Sequence, residues 1–460
     1  MNKLKSILTT LAATTALAAS ADGPNYIFYF IGDGMGMGPA TAAEMYNRNV
    51  LGREPLTMYQ FPVAGMCLTY SASSPVTDSA AAGTALSTGA KTKNGMLGMG
   101  PDTTDVTSIA VDLQQMGYGI GIATSVNADD ATPGAFYAHV PNRGMHYDID
   151  KYAAASGYQF MAGAGLRGLM ADGKPTDIPQ VMAAAGVDLV RGYEELAAST
   201  SDKVFLLNYP ETADYDIGYT IDSAQQVITL PGITEAGIRH LQRVSPNKFF
   251  MMVEGGNIDH ALHGNDGATA IIEIINFNDA LALAYEFYKQ HPDETLIVVT
   301  ADHDTGGMAV GNPTTGYWAN LHYVPYQFVS KEKFEQYCRN LLKTKMDYRW
   351  EDMRQYLTEN LGFWTVLPVN EEQTKQLEEQ FKATFEDRNS KDQKTLYASF
   401  NAFAADVYRL WNDLAGFGFV ATSHTGNPVP VFAVGVGADR FGSLNNNIEI
   451  PATILDIAKQ

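Results

Sequence analysis

The chain has 460 residues, 45% of them hydrophobic and 18% charged, which is enough apolar material for a large core and excludes a disordered segment. Its formal net charge of −20 at pH 7 argues against a general nucleic-acid-binding surface or an electrostatic hold on anionic membranes. An acidic chain also repels anionic substrates, so any anion it binds must meet a locally cationic site.

Lys3 and Lys5 precede an apolar run from Ile7 to Ala19 that ends in small residues around Ala18 to Ala21. This is the pattern of a cleavable signal peptide, expected over residues 1–20. The run is shorter than the ~20 residues of a membrane span, and no Cys directly follows it to accept a lipid. The expectation is a periplasmic or secreted protein with no membrane anchor.

Apolar runs bounded by glycine recur at Tyr26 to Ile31, Gly119 to Ala123, Phe249 to Val253, Leu296 to Thr300 and Val431 to Val436. They read as buried parallel strands, and helix-compatible stretches such as Ala268 to Gln290 lie between them. The predicted fold is α/β: three layers, with a large, mostly parallel central sheet covered by helices on both faces. From about Trp318 to Trp411 the sequence becomes Lys- and Glu-rich with helical patterning, and all four Trp residues fall there. It reads as a mainly helical, cap-like subdomain over 318–416 inserted in a single domain over 21–460. Only Cys67 and Cys338 are present, too few for a disulfide scaffold; the expectation is two unpaired thiols.

Polar residues cluster after the expected strands, where open α/β sheets place ligands. Asp33 follows the first, Glu254 the third, and Asp302 with His303 the fourth. Asp259 and His263 stand four apart, which puts both on one face of a helical turn. With His424 they make a mixed carboxylate and imidazole set suited to zinc beside a harder ion such as magnesium. Pro75 to Thr84 places Ser79 at the start of a small-residue helix, where unpaired backbone N–H groups favour an anion. Serine is a weak nucleophile until a base or metal activates it, so the ligand set is its necessary partner. Arg143 follows the Asp130-Ala-Thr132-Pro133 turn and offers the planar fork that grips two phosphate oxygens at once. The glycines of Gly32 to Gly38 do not make a dinucleotide fingerprint, because Met37 occupies its third glycine position.

Val76-Thr-Asp-Ser-Ala-Ala-Ala-Gly-Thr84 resembles the signature around the phosphorylated serine of the alkaline phosphatase family. Further blocks that resemble the family appear in its order: Gly32-Asp33-Gly34, Asp130-Ala-Thr-Pro133 with Arg143, Val253-Glu254-Gly255 through His263, Thr300-Ala-Asp-His303 and His424-Thr-Gly426. The resemblance implies hydrolysis of phosphate monoesters through a phosphoserine, with broad substrate range, an alkaline optimum, two Zn2+ and one Mg2+ per chain, and a homodimer. Carried over residue by residue, it implies one zinc on Asp259, His263 and His424, and a second on Asp33, Asp302 and His303 beside Ser79. It also implies a magnesium on Asp33, Glu254 and Thr132, and a phosphate clamp of Arg143 steadied by Asp78. Asp130 and His260 stand at two positions near the magnesium that vary in the family. Aspartate at the first often accompanies lysine at the second, while other members have histidine at both, and this chain mixes the patterns. A sulfatase reading lacks the Pro and Arg that should follow the nucleophile, since Ser79 is followed by Ala-Ala-Ala-Gly. A diesterase or a non-catalytic phosphate- or metal-binding protein are the remaining alternatives.

Overall fold

The computed structural model describes residues 23–208, 217–222, 228–344, 348–396 and 398–460. The expected leader over 1–20 lies outside the described residues.

A nine-stranded sheet organises the molecule. In chain order its strands are β1 (Tyr26–Ile31), β2 (Val63–Cys67), β3 (Gly119–Thr124), β4 (Phe160–Gly163), β5 (Asp188–Arg191), β6 (Val204–Leu207), β7 (Phe249–Glu254), β8 (Thr295–Thr300) and β9 (Val429–Gly435). Their spatial order is β2-β9-β8-β1-β7-β3-β4-β6-β5. All pairings are parallel except those of β9, which runs against β8 on one side and β2 on the other. The last apolar run is therefore a strand as expected, but antiparallel to its neighbours. Periodicity carries no information about strand direction, which explains the miss.

The central strands are apolar on both faces because helices cover both. Ile27 to Ile31 on β1 are fully buried, as is every residue of β7 and β8. Full burial of each large side chain contributes roughly 1.5–3 kcal/mol. One layer contains α1 (Met37–Asn49), α2 (Leu230–Val244) and α3 (Gly267–Gln290), which pack on one another. Ile271, Ile274, Phe277, Leu281 and Ala284 form the buried stripe of α3, at the three- and four-residue spacing of a core-facing helix. The helices Ser79–Thr88, Ile109–Gln115 and Glu449–Ala458 pack together as the other layer.

Between Met308 and Phe417 the described chain forms the helices Lys331–Thr344, Trp350–Leu361, Glu371–Phe381 and Ala402–Ala415. Phe334, Phe381, Phe403 and Tyr408 are buried among them, and Tyr337 stacks on Tyr356 with ring centroids 4.2 Å apart. This segment is tied to the main body at Asp266, just past the short helix Asn257–His263. Asp266 Oδ1 accepts from Gln327 Nε2 at 2.8 Å and its Oδ2 from the Lys331 backbone N–H at 2.7 Å, while Lys331 Nζ donates to the Gly264 carbonyl at 2.8 Å. Cys67 and Cys338 are both buried free thiols on separate elements, and burial pushes the Cys67 thiol up to about 12.

Burial also lowers the Lys331 ammonium from 10.5 to about 8, against the opposing pull of Asp266, Glu335 and Asp406. Between these values the unfolded chain holds a proton that the folded chain has released, so stability rises with pH there. Relative to Lys331→Met, the parent gains up to about 1.4 kcal/mol of unfolding free energy per pH unit between pH 8 and 10. Denaturant titrations of both proteins across that range check this expectation.

Candidate functional site

The sheet register builds the site. Ile31 at the end of β1 pairs with Glu254 on β7 and Thr300 on β8, and Glu254 pairs with Thr124 on β3. Asp33, Glu254, Asp302 and His303 consequently leave the sheet at one level, at its carboxyl edge. Because β9 is antiparallel, its entry end lies at that same edge, and His424 stands just before it. A two-residue ladder, Asp304↔Thr425 and Thr305↔His424, fixes His424 beside His303, with the rings stacked at 3.6 Å. The helix Asn257–His263 follows β7 and brings in Asp259 and His263, one turn apart. Gly34 closes the turn after β1 with φ +69, and its N–H donates to Asp302 Oδ1 at 3.0 Å. A Cβ there would sit 2.7 Å from Asp259 Oδ1, so only glycine lets the backbone pass this close.

Each imidazole is oriented from behind. His263 Nδ1 meets the Thr422 carbonyl at 2.7 Å and His424 Nδ1 meets the Thr77 carbonyl at 2.8 Å. A carbonyl only accepts, so both Nδ1 atoms carry hydrogen and both Nε2 atoms present lone pairs to the centre. Those two Nε2 atoms are 3.0 Å apart. His263 Nε2 is 3.3 Å from Asp259 Oδ2, and His303 Nε2 is 3.0 Å from Asp302 Oδ2 and 3.4 Å from Asp33 Oδ1. Asp33 Oδ1, Asp259 Oδ2, Asp302 Oδ2 and Thr132 Oγ1 are buried and make no hydrogen bond.

Ser79 is the first residue of its helix and is 1% exposed, with Asp78 as the N-cap accepting from the Ala81 N–H at 3.0 Å. Its Oγ lies 3.1 Å from His303 Nε2, aimed at the point where Asp33 and Asp302 converge. Arg143 stands beside it between two carboxylates, with Nη1 3.6 Å from Asp78 Oδ2 and Nη2 2.8 Å from Asp130 Oδ1. The other Asp130 oxygen accepts from Arg167 Nη2 at 2.9 Å.

The electrostatics are those of crowded anions. Burial, then Asp302, Asp259 and Glu254, push the Asp33 carboxyl well above the carboxylate range. Glu254 rises to about 8, with burial the largest cause. Burial opposes ionisation of Asp259 as well, and it is positive charge at the imidazoles, His263 first, that lowers it well below the usual range, a charge that neutral rings leave to a bound cation. His424 falls to about 3 through burial and then the neighbouring His303. Carboxylate oxygens facing imidazole lone pairs in a buried pocket need cations between them. Among the described residues, two donor groups have the required convergence: Asp33, Asp302 and His303, and Asp259, His303 and His424, each with ligand atoms within 4.8 Å of one another. Mixed carboxylate and imidazole donors suit zinc, and an all-oxygen set such as Glu254 with Thr132 suits a harder ion.

Asp33, Ser79, Asp259, His263, Asp302, His303 and His424 thus meet in one place, with Asp78 and Arg143 at its rim. Glu254 is 1% exposed and accepts a hydrogen bond from Thr124 Oγ1. His260 is half-buried and contributes to the field at Asp130. Sequence reasoning missed Thr305, whose Oγ1 bonds both Asp259 Oδ1 and His303 Nδ1, and it missed Arg167. Thr305 lies two residues past His303, so the alternation of a short strand after the motif carried a signal. Arg167 sits in a Gly-Leu-Arg-Gly loop with none.

The family profile for alkaline phosphatase matches residues 25–162 and 159–460. Alkaline phosphatase 4 of Bacillus subtilis is 28% identical over 445 residues, covering 94% of this chain and 88% of that protein. The crystal structure of the cold-active alkaline phosphatase from a Shewanella species superposes with a TM-score of 0.78 at 27% identity, covering 94% of this chain and all of that one. An alkaline phosphatase mutant from the Antarctic bacterium TAB5, solved with Mg bound in its M3 site, shares the fold at TM-score 0.65 and 23% identity, covering 95% and 99% of the two chains.

Neutralising one of the crowded acids relieves repulsion when no cation is present. At alkaline pH, where the carboxyl must ionise despite its raised pKa, Asp33→Asn, whose amide can donate to a neighbouring carboxylate, raises the melting temperature of chelator-treated protein by a few degrees. Calorimetric scans with and without chelator measure it.

Proposed function

This chain belongs to the alkaline phosphatase family and is a phosphatase acting on phosphate monoesters, and from that premise we propose a two-step reaction through a phosphoserine at Ser79. The observation that carries it is the Ser79 hydroxyl, fixed at a helix start and aimed at His303 Nε2, beside Asp33 and Asp302. In the first step Ser79 Oγ forms a bond to phosphorus as the ester P–O bond breaks, and the alcohol leaves with a proton. In the second, water attacks the phosphoserine, the Ser79 P–O bond breaks, and the serine oxygen regains a proton as inorganic phosphate departs.

Asp259, His263 and His424 would hold one zinc; Asp33, Asp302 and His303 a second; Asp33, Glu254 and Thr132 a magnesium. When bound, these ions lower the proton affinity of the attacking oxygen and stabilise negative charge on the leaving one. Arg143 holds the non-bridging phosphoryl oxygens while Asp78 and Asp130 fix its plane. Among the described residues this arrangement offers none that reads the alcohol, which supports a broad substrate range, and activation of serine and water by deprotonation supports an alkaline optimum. Lys3, Lys5 and the apolar run after them support export through a cleaved leader. Met66, Leu68 and Tyr70 stand exposed at and just beyond edge strand β2, apolar surface that supports a homodimer.

Acid-quenching the zinc- and magnesium-loaded enzyme with radiolabelled phosphate and mapping the label tests the central step. Label on Ser79 is expected, and Ser79→Ala loses it together with at least about a thousandfold of kcat/KM for p-nitrophenyl phosphate. Near-full turnover by Ser79→Ala would refute the covalent route.

A further inference from the structure

The helix Asn257–His263, which carries Asp259 and His263, has seven residues. That is too few to hold its shape in water on its own, so the aim of the two side chains depends on what grips its ends. The sheet grips the first end: the Gly255 N–H donates to the Ile31 carbonyl at 2.9 Å and the Asn257 N–H to Ser125 Oγ at 3.1 Å. At the other end the chain turns back through Asn265, at φ +51, and the N–H groups of Asn265 and Asp266 close the Leu262 and Ala261 carbonyls at 2.9 and 3.0 Å. The carbonyls of the turn itself are taken by the inserted helices. Lys331 Nζ donates to the Gly264 carbonyl at 2.8 Å and Asn412 Nδ2 to the Asn265 carbonyl at 2.7 Å. Both side chains are buried, one at the start of Lys331–Thr344 and the other near the end of Ala402–Ala415. Lys331 Nζ also donates to Gln393 Oε1 at 3.1 Å, so it bridges the turn to the body of the insert. A cationic donor just past a helix's carboxyl end meets the negative end of its dipole as well.

His424 belongs to the same assembly. From Ala415 on the insert's last helix the chain runs through Phe417–Gly418, which pairs with Ala309–Val310, to Thr422, whose carbonyl orients His263, and on to His424. Asp259, His263 and His424 are thus all held at the base of the insert, whereas Asp33, Asp302 and His303 leave β1 and β8 within three residues of the strand ends. We propose that Lys331 and Asn412 are positioning residues for the zinc assigned to Asp259, His263 and His424, so that the insert tunes this zinc and the sheet sets the other. This inference rests on that zinc assignment.

The test challenges zinc-loaded protein with graded chelator, counting retained zinc, beside the visible spectrum of the cobalt-substituted protein. His263→Ala identifies the zinc step and the cobalt band of this site by removing them. Lys331→Met weakens that step by about tenfold, the scale on which groups behind metal ligands act, shifts its cobalt band, and changes the other zinc by less than about threefold. Asn412→Ala acts in the same direction and carries the test if Lys331→Met does not fold. Unchanged affinities and spectra in both variants overturn the proposal, as does equal weakening of both zincs, the result of a general loosening of the fold. If His263→Ala keeps both zincs, the assignment fails and this inference with it. If His263→Ala loses one zinc while Lys331→Met and Asn412→Ala hold both at parental affinity, this inference alone fails.

Discussion

Four carboxylates, those of Asp33, Glu254, Asp259 and Asp302, share a buried pocket with three imidazoles, and most of the architecture can be traced to that crowding. Like charges at short range in a low-dielectric interior repel by several kcal/mol. A fold that assembles them must be held by forces that do not depend on the site. The fully buried strands β1, β7 and β8 supply those forces, and their register delivers the acids to one edge at one level. The pocket is thereby pre-organised for cations, with the cost of crowding met by the core.

The supporting residues set direction as well as position. Backbone carbonyls of Thr77 and Thr422 fix the tautomers of His424 and His263, so those lone pairs face inward before any ion arrives. Thr305 bridges His303 and Asp259, which links the two donor groups through a neutral hydroxyl. At the rim, Asp78 and Asp130 hold a cation, Arg143. The pocket is thus anionic at its carboxylate cluster and cationic at Arg143, a local charge separation within a chain of net charge −20.

Much of this was legible in the sequence, for specific reasons. Five long apolar runs matched strands, because burial on both faces leaves a continuous signal. Phe160–Gly163, Asp188–Arg191 and Val204–Leu207 are four residues each, too short for a pattern to stand out, and the direction of β9 has no sequence signature. The metal-site residues were individually weak: Asp259 and His263 alone read as an ordinary surface pair, and only the ordered set of motifs gave them meaning. Asp130 reads in sequence only as a neighbour of the magnesium position, and the structure adds that its oxygens bond two arginines. Arg167 was invisible, because its bond to Asp130 is a tertiary contact that a loop arginine does not announce in sequence.

The most direct test of the account is a zinc titration of chelator-treated protein, following the unfolding temperature and counting bound metal by elemental analysis. The account predicts that zinc raises the unfolding temperature in saturable, stoichiometric steps, and that the His424→Ala variant, which removes one inward lone pair, loses one bound ion and part of that gain. An unfolding temperature indifferent to zinc, or a His424→Ala protein that binds as much metal as the parent, would contradict it.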